Sequence, residues 1–424
     1  METVFFVLAL FLFVQSILSF LNTTRFVRYA LTLPATQPQR RQPKAAVILP
    51  CKGLEHDFEE NIRAYLTQDY RDYEVIFVTE SENDPAYPVL TKLIKQSRRA
   101  AWLIVAGEAK DRGQKVHNLI AALDALDSID RRAEVLVFAD SDARPTLHWL
   151  AELCAPLNER GVGATTGFRW YVPLQGGFVS WLLSAWNASI LSTLGERSGL
   201  AWGGATAIWR ESFAKWAIKQ RWQSAVSDDY VLTAALREVG QRIKFVPNCL
   251  VATYADASWQ DLLEFSTRQI KITRIYAPRL WQLTCFSHLL FNFTFWGGLI
   301  WLVLAGAVDR YFNFSLFSLL ICTFALSAMT GWMRATVAAH LLPANRERVW
   351  PRRWVYAATS PLVSLLYLYN VCAAAFSRRI SWRGIGYEMV SPKQTVILNH
   401  PANQPLVESP ARAPRRRKAP IRSS

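Results

Sequence analysis

Short apolar runs alternate with helix-like segments between residues 45 and 142, and this alternation restricts the fold more than any other feature of the sequence. The runs typical of buried strands are AAVILP (45–50), YEVIFVTE (73–80), AAWLIVAGE (100–108) and VLVFADSD (135–142). The segments that predict helices between them are 57–68, 85–98 and 115–126. Strands separated by helices pair in parallel through right-handed crossovers. We therefore predict an α/β domain with a mostly parallel sheet over residues 45–257.

Other apolar runs are long enough to cross a membrane. Residues 1–21 predict an N-terminal transmembrane anchor, and the basic residues that follow place the α/β domain in the cytoplasm. A cleaved signal peptide is the alternative, but Glu2 and the lack of an Ala-x-Ala site argue against it. Residues 285–308 and 314–338 predict two more transmembrane helices, and 354–376, which contains a proline, predicts a transmembrane or re-entrant helix.

Three further segments have distinctive compositions. Residues 176–195 are nearly long enough to span, but a crossing there would divide the α/β domain, so we predict a helix packed in the domain or at the interface. Residues 258–283 are basic and rich in aromatic residues, which predicts an interfacial amphipathic helix. Residues 377–424 are interpreted as a basic, partly disordered tail.

Charge and cysteine usage narrow the function classes. The net charge of +15 lies largely in the tail and the membrane flanks, which favours a lipid bilayer as partner and no nucleic acid. The six cysteines form no Cys-x-x-Cys pair and the six histidines no His-Glu-x-x-His motif. Any metal is therefore expected on oxygen ligands.

Two carboxylates, Asp140 and Asp142, follow the buried run VLVFA. Side chains alternate along a strand, so both point to one face and repel each other unless a cation lies beside them. Mg²⁺ in proteins is held by one or two carboxylates together with water and substrate phosphate. The pattern therefore indicates a metal–diphosphate site, with a solvated strand end as the alternative.

Further charged residues stand where strands end or helices begin. Asp228 and Asp229 precede a helical segment and could be simple caps. Arg268 and Lys271 lie on one face of a basic helix, which suits either lipid head groups or a pyrophosphate leaving group. The others are Glu80, Asp84, Lys115 and Asn118.

Several motifs, taken in order, resemble the membrane-bound inverting glycosyltransferases of GT-A fold in families 2 and 21, most closely the ceramide glucosyltransferase type. The stretches that carry the resemblance are VILPCKG, NDPAYPVLTKL, KVHNLI, ADSDARP, AWGGATAIWR, SDDY and ISWRGIGYEM. One motif departs from the family pattern, because Lys271 stands in place of an arginine and Ile272 in place of a tryptophan. That departure favours single transfer to a lipid over processive synthesis.

The resemblance implies an enzyme that moves a sugar, with glucose expected, from a UDP-sugar to the hydroxyl of a membrane lipid such as ceramide. It implies Asp229 as catalytic base and Mg²⁺ or Mn²⁺ on Asp140 and Asp142. The implied nucleotide-sugar residues are Glu80, Asp84, Lys115, Asn118, Asp140, Arg268 and Lys271. The implied acceptor-side residues are Gly203, Gly204 and Asp228. A multi-pass membrane protein with a cytoplasmic catalytic domain is expected, in the cell inner membrane if the source is a bacterium.

Two alternatives remain open at this point. One is transfer of another sugar, such as N-acetylglucosamine, to a hopanoid-like or polyprenyl lipid. The other is a non-catalytic membrane scaffold, since one motif departs from the family pattern.

Overall fold

The computed structural model describes residues 2–32, 42–128, 133–308 and 312–400. The strands within these ranges are β1 Ala45–Pro50, β2 Tyr73–Thr79, β3 Ala101–Val105, β4 Val135–Ala139, β5 Val162–Val172, β6 Ala205–Trp209, β7 Arg242–Tyr254, β8 Arg379–Trp382, β9 Ile385–Ser391 and β10 Gln394–Asn399.

The helices of the same ranges alternate with the first strands and then dominate the second half. They are α1 Glu2–Thr32, α2 Phe58–Leu66, α3 Ala86–Gln96, α4 Gln114–Ser128, α5 Trp149–Cys154, α6 Phe178–Ala188, α7 Arg210–Lys215, α8 Ile218–Arg221, α9 Asp228–Glu238, α10 Trp259–Tyr276, α11 Pro278–Val308, α12 Phe314–Leu341, α13 Arg346–Val349, α14 Arg353–Ala358 and α15 Ser360–Phe376. Short 3₁₀ turns occur at Ala155–Asn158, Leu191–Thr193, Pro343–Asn345 and Trp350–Arg352.

Seven strands form one sheet in the order β3-β2-β1-β4-β6-β5-β7. The strands from β3 to β4 pair in parallel, as do β5 and β7, whereas β6 runs antiparallel to both of its neighbours. In the register, Ala45 lies opposite both Tyr73 and Val135. The predicted fold class, an α/β domain with a mostly parallel sheet plus apolar helices, is confirmed.

Both faces of the sheet are buried at its central strands β1, β2 and β4, which explains why these strands read as continuous apolar runs. In β1, Val47 and Leu49 pack into the core that contains α2, α3, α5 and α6. The alternate residue Ile48 packs on the opposite face, into the core with α4 and α9. The carboxyl ends of the strands, where ligands bind in such sheets, are left accessible at one edge.

Three described helices, α1, α11 and α12, are long and apolar enough to cross a membrane. They contain residues 2–21 of the predicted anchor 1–21 and the segments predicted at 285–308 and 314–338. Phe5 and Leu12 of α1 pack with Phe295 of α11 and Leu320 of α12 in one apolar cluster. The three helices therefore form a bundle beside the α/β domain.

The fourth apolar segment is bent. Residues Pro343–Ala358 and Ser360–Phe376 meet at an angle of 68°, which is the geometry of a broken span or of a re-entrant loop. Both alternatives predicted for 354–376 thus remain. The bend lies beside Pro361, which lacks the backbone N–H that a continuous helix would use.

The segments 176–195 and 258–283 both contain helices, and these helices lie in different surroundings. The predicted helix within 176–195 is α6, which packs in the α/β domain with Trp181 and Trp186 buried. The segment 258–283 contains α10, which begins with a capping box between Ser258 and Asp261. One residue separates α10 from α11, so α10 is joined directly to the apolar bundle.

The beginning of the predicted tail is folded, which the sequence interpretation did not foresee. Strands β8, β9 and β10 form a separate antiparallel sheet in the order β10-β9-β8. Ile385, Tyr387 and Met389 alternate inward from β9 and are buried. Residues 401–424, where disorder was expected, lie outside the described residues.

Candidate active site

A cavity of about 1030 Å³ lies at the carboxyl ends of β1 and β4. It collects side chains from the loop after β1, the first turn of α4, the end of β4 and helix α10. The predicted site residues that line it are Lys115, Asn118, Asp140, Asp142 and Arg268. A nucleotide-sized ligand fits within this volume, since ligand pockets are commonly about 300–1,000 Å³.

Asp140 and Asp142 are held by two largely buried cations, Lys115 and Arg169. Lys115 Nζ lies 2.8 Å from Asp140 Oδ1. Arg169 reaches both acids, with Nη2 2.6 Å from Asp140 Oδ2 and Nη1 2.9 Å from Asp142 Oδ2. The two carboxylates therefore share one face, and the charges that they would otherwise direct at each other are neutralised.

The environment separates the two acids in acidity. Burial would raise the pKa of the Asp140 carboxyl, but Lys115 and Arg169 outweigh it and hold that pKa below its ordinary value. Burial raises the pKa of the Asp142 carboxyl, and the single contact with Arg169 offsets this only in part. Asp140 is the better satisfied anion of the pair.

Asp142 Oδ1 provides the test of whether these residues suit a divalent cation. This oxygen is buried and has no hydrogen-bond partner among the described residues. A buried carboxylate oxygen without a partner is unfavourable, and hard cations take such oxygens as ligands. The residues present thus fit Mg²⁺ or Mn²⁺ held through Asp142, with Asp140 as the second carboxylate.

Two glycines allow the acids to approach the backbone closely. A Cβ on Gly203 would lie 2.1 Å from Asp228 Oδ2, and one on Gly204 would lie 2.5 Å from Asp140 Oδ2. Neither Gly203 nor Gly204 lines this cavity, so the part of these two predicted acceptor-side residues is steric. They leave room for carboxylates that contact Lys115.

Asp228 and Asp229 form the first turn of α9 and point to different partners. Asp228 is buried, and its Oδ2 lies 3.5 Å from Lys115 Nζ. Burial raises the pKa of the Asp228 carboxyl to about 6, with Lys115 opposing the shift and Asp229 adding to it. The Asp229 carboxylate accepts hydrogen bonds from the Ser227 hydroxyl and from the Tyr230 backbone N–H at 2.8 Å.

A second, smaller cavity of about 140 Å³ lies beside the first. Asp229 lines this cavity, and much of the remaining wall is apolar. The apolar lining consists of Phe168, Trp186, Ile190, Leu200, Phe265, Ile270, Ile272, Trp202 and Trp382. The residues that border both cavities are Lys115, Asp140, Arg169, Phe265, Arg268, Gln269 and Trp382. A polar and a largely apolar space therefore meet at the carboxylate cluster, which consists of Asp140, Asp142, Asp228 and Asp229.

Three predicted nucleotide-sugar residues do not line either cavity. Glu80 lies behind the wall, where its carboxylate pairs with Lys52 at 2.6 Å. Asp84 Oδ1 accepts hydrogen bonds from the backbone N–H groups of Gly53 and Ala86 and so shapes the loop. Lys271 turns away from the cavities.

Lys271 Nζ donates a hydrogen bond to the backbone oxygen of Arg379 at 2.8 Å. The predicted phosphate clamp of Arg268 and Lys271 is thus reduced to Arg268 in this structure. The reason is the C-terminal sheet, whose strand β8 offers Lys271 a carbonyl oxygen that the sequence did not reveal.

Arg169 is the main site residue that the sequence interpretation missed. It is a lone charged residue in β5, whose sequence VGATTGFRWYV is otherwise uncharged and buried. A charge in such a strand needs a buried partner, which was the available indication. Trp382, Arg383 and Tyr387 of the C-terminal sheet also line the larger cavity and were missed with the sheet.

Asp228 predicts a distinctive pH dependence of stability. Because its pKa is about 6 in the folded protein, the folded state holds a proton that the unfolded chain releases above about pH 4. This contribution to stability is lost as the pH rises from about 4 to about 6. We expect the melting temperature of Asp228→Asn, relative to the unmodified protein in EDTA, to rise by roughly 2–4 °C between about pH 4.5 and pH 7.

Asp127→Asn is the matched control for this measurement. Asp127 is exposed, and its ion pairs with Arg210 and Lys219 lower its pKa against the opposing effect of desolvation. Its contribution to stability is therefore complete above about pH 4. The raised pKa of Asp228 would be contradicted if the difference in melting temperature between Asp228→Asn and the unmodified protein did not change with pH. An equal rise for Asp127→Asn would contradict it as well.

The chain belongs to glycosyl transferase family 21, whose family model matches residues 4–395. It is therefore a glycosyltransferase, and the resemblance read from the motifs is confirmed. Over 90 residues it is 30% identical to Ceramide glucosyltransferase 1 of Caenorhabditis elegans, covering 21% of this chain and 19% of that protein. Over 81 residues it is 31% identical to Ceramide glucosyltransferase 3 of the same organism, covering 19% and 18%. The matched stretches span about a fifth of each relative.

Two solved structures are also similar in part. One is the mannosyltransferase PcManGT from Pyrobaculum calidifontis in complex with GDP-Man and Mn²⁺, at 18% identity and a TM-score of 0.48, covering 88% of this chain and 98% of that one. The other is glucosyl-3-phosphoglycerate synthase from Mycobacterium tuberculosis in complex with Mn²⁺ and UDP-glucose, at 17% identity and a TM-score of 0.34, covering 55% and 78%.

Proposed function

We propose that the protein transfers a sugar, with glucose as the proposed one, from a UDP-sugar to the hydroxyl of a membrane lipid such as ceramide, with inversion to a β-glycoside. The observation that carries this proposal is the meeting of two cavities at one carboxylate cluster. The larger cavity is lined by acids and cations, and the smaller one is largely apolar and contains Asp229.

The larger cavity is the proposed donor site. Lys115, Arg169 and Arg268 bring positive charge to a space where a nucleoside diphosphate would place its phosphates. Asp140 and Asp142 would hold Mg²⁺ or Mn²⁺, which when bound supplies positive charge to the departing diphosphate. Asn118 lines the same space and offers an amide for hydrogen bonding to the donor.

The smaller cavity is the proposed acceptor site. Asp229 is a carboxylate at its edge and would accept the proton of the attacking hydroxyl. Apolar rings such as Phe168 and Trp202 suit the carbon chain near that hydroxyl. The departure at Ile272 removes a tryptophan expected from the family, but Trp382 brings a ring from the C-terminal sheet to border both cavities.

The helix arrangement supports a lipid acceptor. Helix α10 carries Arg268 at the cavity and leads through Ala277 into α11, one of the three apolar helices. The helix that lines the proposed acceptor cavity therefore continues almost directly into a helix of the proposed membrane region. In this proposal the α/β domain is on the cytoplasmic side, and the lipid hydroxyl reaches Asp229 without full extraction into water.

Transfer of labelled sugar tests the proposal. Purified protein in lipid nanodiscs would receive radiolabelled UDP-glucose, Mn²⁺ and ceramide, and labelled glycolipid in the organic extract would be measured with its anomeric configuration. We expect a β-linked product that disappears in EDTA. Labelling only with UDP-N-acetylglucosamine, or only with a hopanoid-like or polyprenyl lipid, would replace the proposed substrates, and no lipid labelling with any pair would overturn the activity.

A further inference from the structure

The C-terminal sheet is docked on the α/β domain at several points. The Tyr387 hydroxyl accepts a hydrogen bond from the backbone N–H of Gln114 at 3.1 Å, at the start of α4. Thr395 Oγ1 donates to the backbone oxygen of Ser224 at 2.8 Å. Tyr387 is also buried. The sheet therefore forms part of the wall of the donor cavity.

The turn between β8 and β9 reaches into that wall. Its residues Trp382, Arg383 and Gly384 line the larger cavity. The guanidinium carbon of Arg268 lies 5.5 Å from the centre of the Trp382 ring, and Arg268 also donates to the backbone oxygen of Ser381. Arg383 has a φ of 53°, a conformation that is uncommon outside glycine. The turn thus holds Arg383 at the cavity at a conformational cost.

The partner of Arg383 is Glu55, which lies in the loop after β1 and lines the same cavity. The Arg383 side chain is 46% exposed. The other lysine and arginine side chains that line the cavity within the described ranges, Lys52, Lys115, Arg169 and Arg268, are 12–26% exposed. Glu55 is 18% exposed, so only the Arg383 side of the pair is open to solvent. An ion pair that is partly solvated contributes little stability, so Arg383 can exchange its partner more readily than the less exposed cations can.

We propose that Arg383 binds the diphosphate of the nucleotide-sugar donor, in competition with Glu55. This inference rests on the proposed donor class. It adds a further cation to the proposed phosphate site and takes the place expected for Lys271, which is engaged by the backbone of Arg379 and does not line the cavity. The diphosphate oxygens can accept several hydrogen bonds from the Arg383 guanidinium. When no nucleotide-sugar is bound, the Glu55 carboxylate pairs with that guanidinium instead.

Binding of UDP to the full-length protein, measured by calorimetry in Mn²⁺, tests the competition. Arg383→Gln should weaken UDP binding about tenfold, the loss expected for a charged hydrogen bond to phosphate. Glu55→Gln should tighten UDP binding about two- to fivefold, because it frees Arg383 from its ion pair. A merely structural contact between the two residues would instead make both substitutions act in the same direction.

Lys393→Gln is the control, since it removes an exposed cation from the other turn of the same sheet, between β9 and β10. It should leave UDP binding unchanged. Uridine, which lacks phosphates, should bind Arg383→Gln and the unmodified protein equally. Unchanged UDP affinity in Arg383→Gln, or weaker affinity in Glu55→Gln, would overturn this inference alone. An unmodified protein that binds no UDP would overturn it together with the proposed donor.

Discussion

Replacing Asp229 with asparagine should lower the rate of sugar transfer by a factor of about 10²–10⁴, the usual contribution of a positioned general base. The amide keeps the size of the side chain and can still accept a hydrogen bond from the Tyr230 N–H, as the carboxylate does at 2.8 Å. It cannot take up a proton from a lipid hydroxyl. The measurement is labelled glycolipid formed per minute at saturating donor.

UDP affinity separates this chemical defect from a structural one. Asp229 lines the smaller cavity and is absent from the lining of the larger one, so Asp229→Asn should bind UDP as the unmodified protein does. Near-normal turnover in this variant would show that another group takes the proton. In that case Asp228, whose pKa is about 6, is the neighbouring carboxyl to test next.

Replacing Asp142 with asparagine should remove most of the effect of Mn²⁺ on UDP binding, with a loss of about 100-fold in affinity measured in Mn²⁺. The reason is the buried Oδ1, which lacks a hydrogen-bond partner among the described residues and is the proposed metal ligand. An amide oxygen is a weaker ligand than a carboxylate, whereas its contact with Arg169 can persist. The measurement is UDP titration with and without EDTA.

Asp57→Asn provides the comparison for that titration. Asp57 lies between β1 and α2, and its carboxylate pairs with Arg144 at 2.9 Å. It does not line the larger cavity. Its substitution should leave the Mn²⁺ effect intact. If the unmodified protein binds UDP equally well with EDTA and with Mn²⁺, the assignment of a metal to Asp140 and Asp142 is wrong.

The strand and helix order of the first part of the domain was predictable because its determinants are local. The run predicted as a strand at 73–80 is β2, Tyr73–Thr79, and the helix predicted at 115–126 lies within α4. Burial on both faces makes such strands continuously apolar, and amphipathic helices repeat every 3.6 residues. These patterns are complete within a few residues of sequence.

Pairing in the second part depends on contacts between distant residues. Strand β6 lies between β4 and β5, so that Ala207 is opposite both Val137 and Thr165. Nothing in the local sequence of β6 reveals this antiparallel insertion. Arg169 is brought to Asp140 and Asp142 by the same pairing, which is why its role was not predictable from spacing along the chain.

The C-terminal sheet was missed for a different reason. The basic residues that follow its strands dominated the interpretation of 377–424. The local pattern was present, since IGYEMVS alternates apolar and polar residues and Gly384 follows Arg383 in a turn with positive φ at both positions. A basic overall composition therefore concealed a folded element that lines the larger cavity.

The wall shared by the two cavities implies that ligands bound in them influence each other's affinity. Arg268 and Trp382 border both spaces, as does the Lys115–Asp140 pair. A charged ligand that binds in one cavity changes the electrostatic potential in the other, because the same charged side chains border both. Thermodynamic linkage then makes the influence reciprocal: the factor by which the donor changes acceptor affinity equals the factor by which the acceptor changes donor affinity. One titration, run in either direction, yields both.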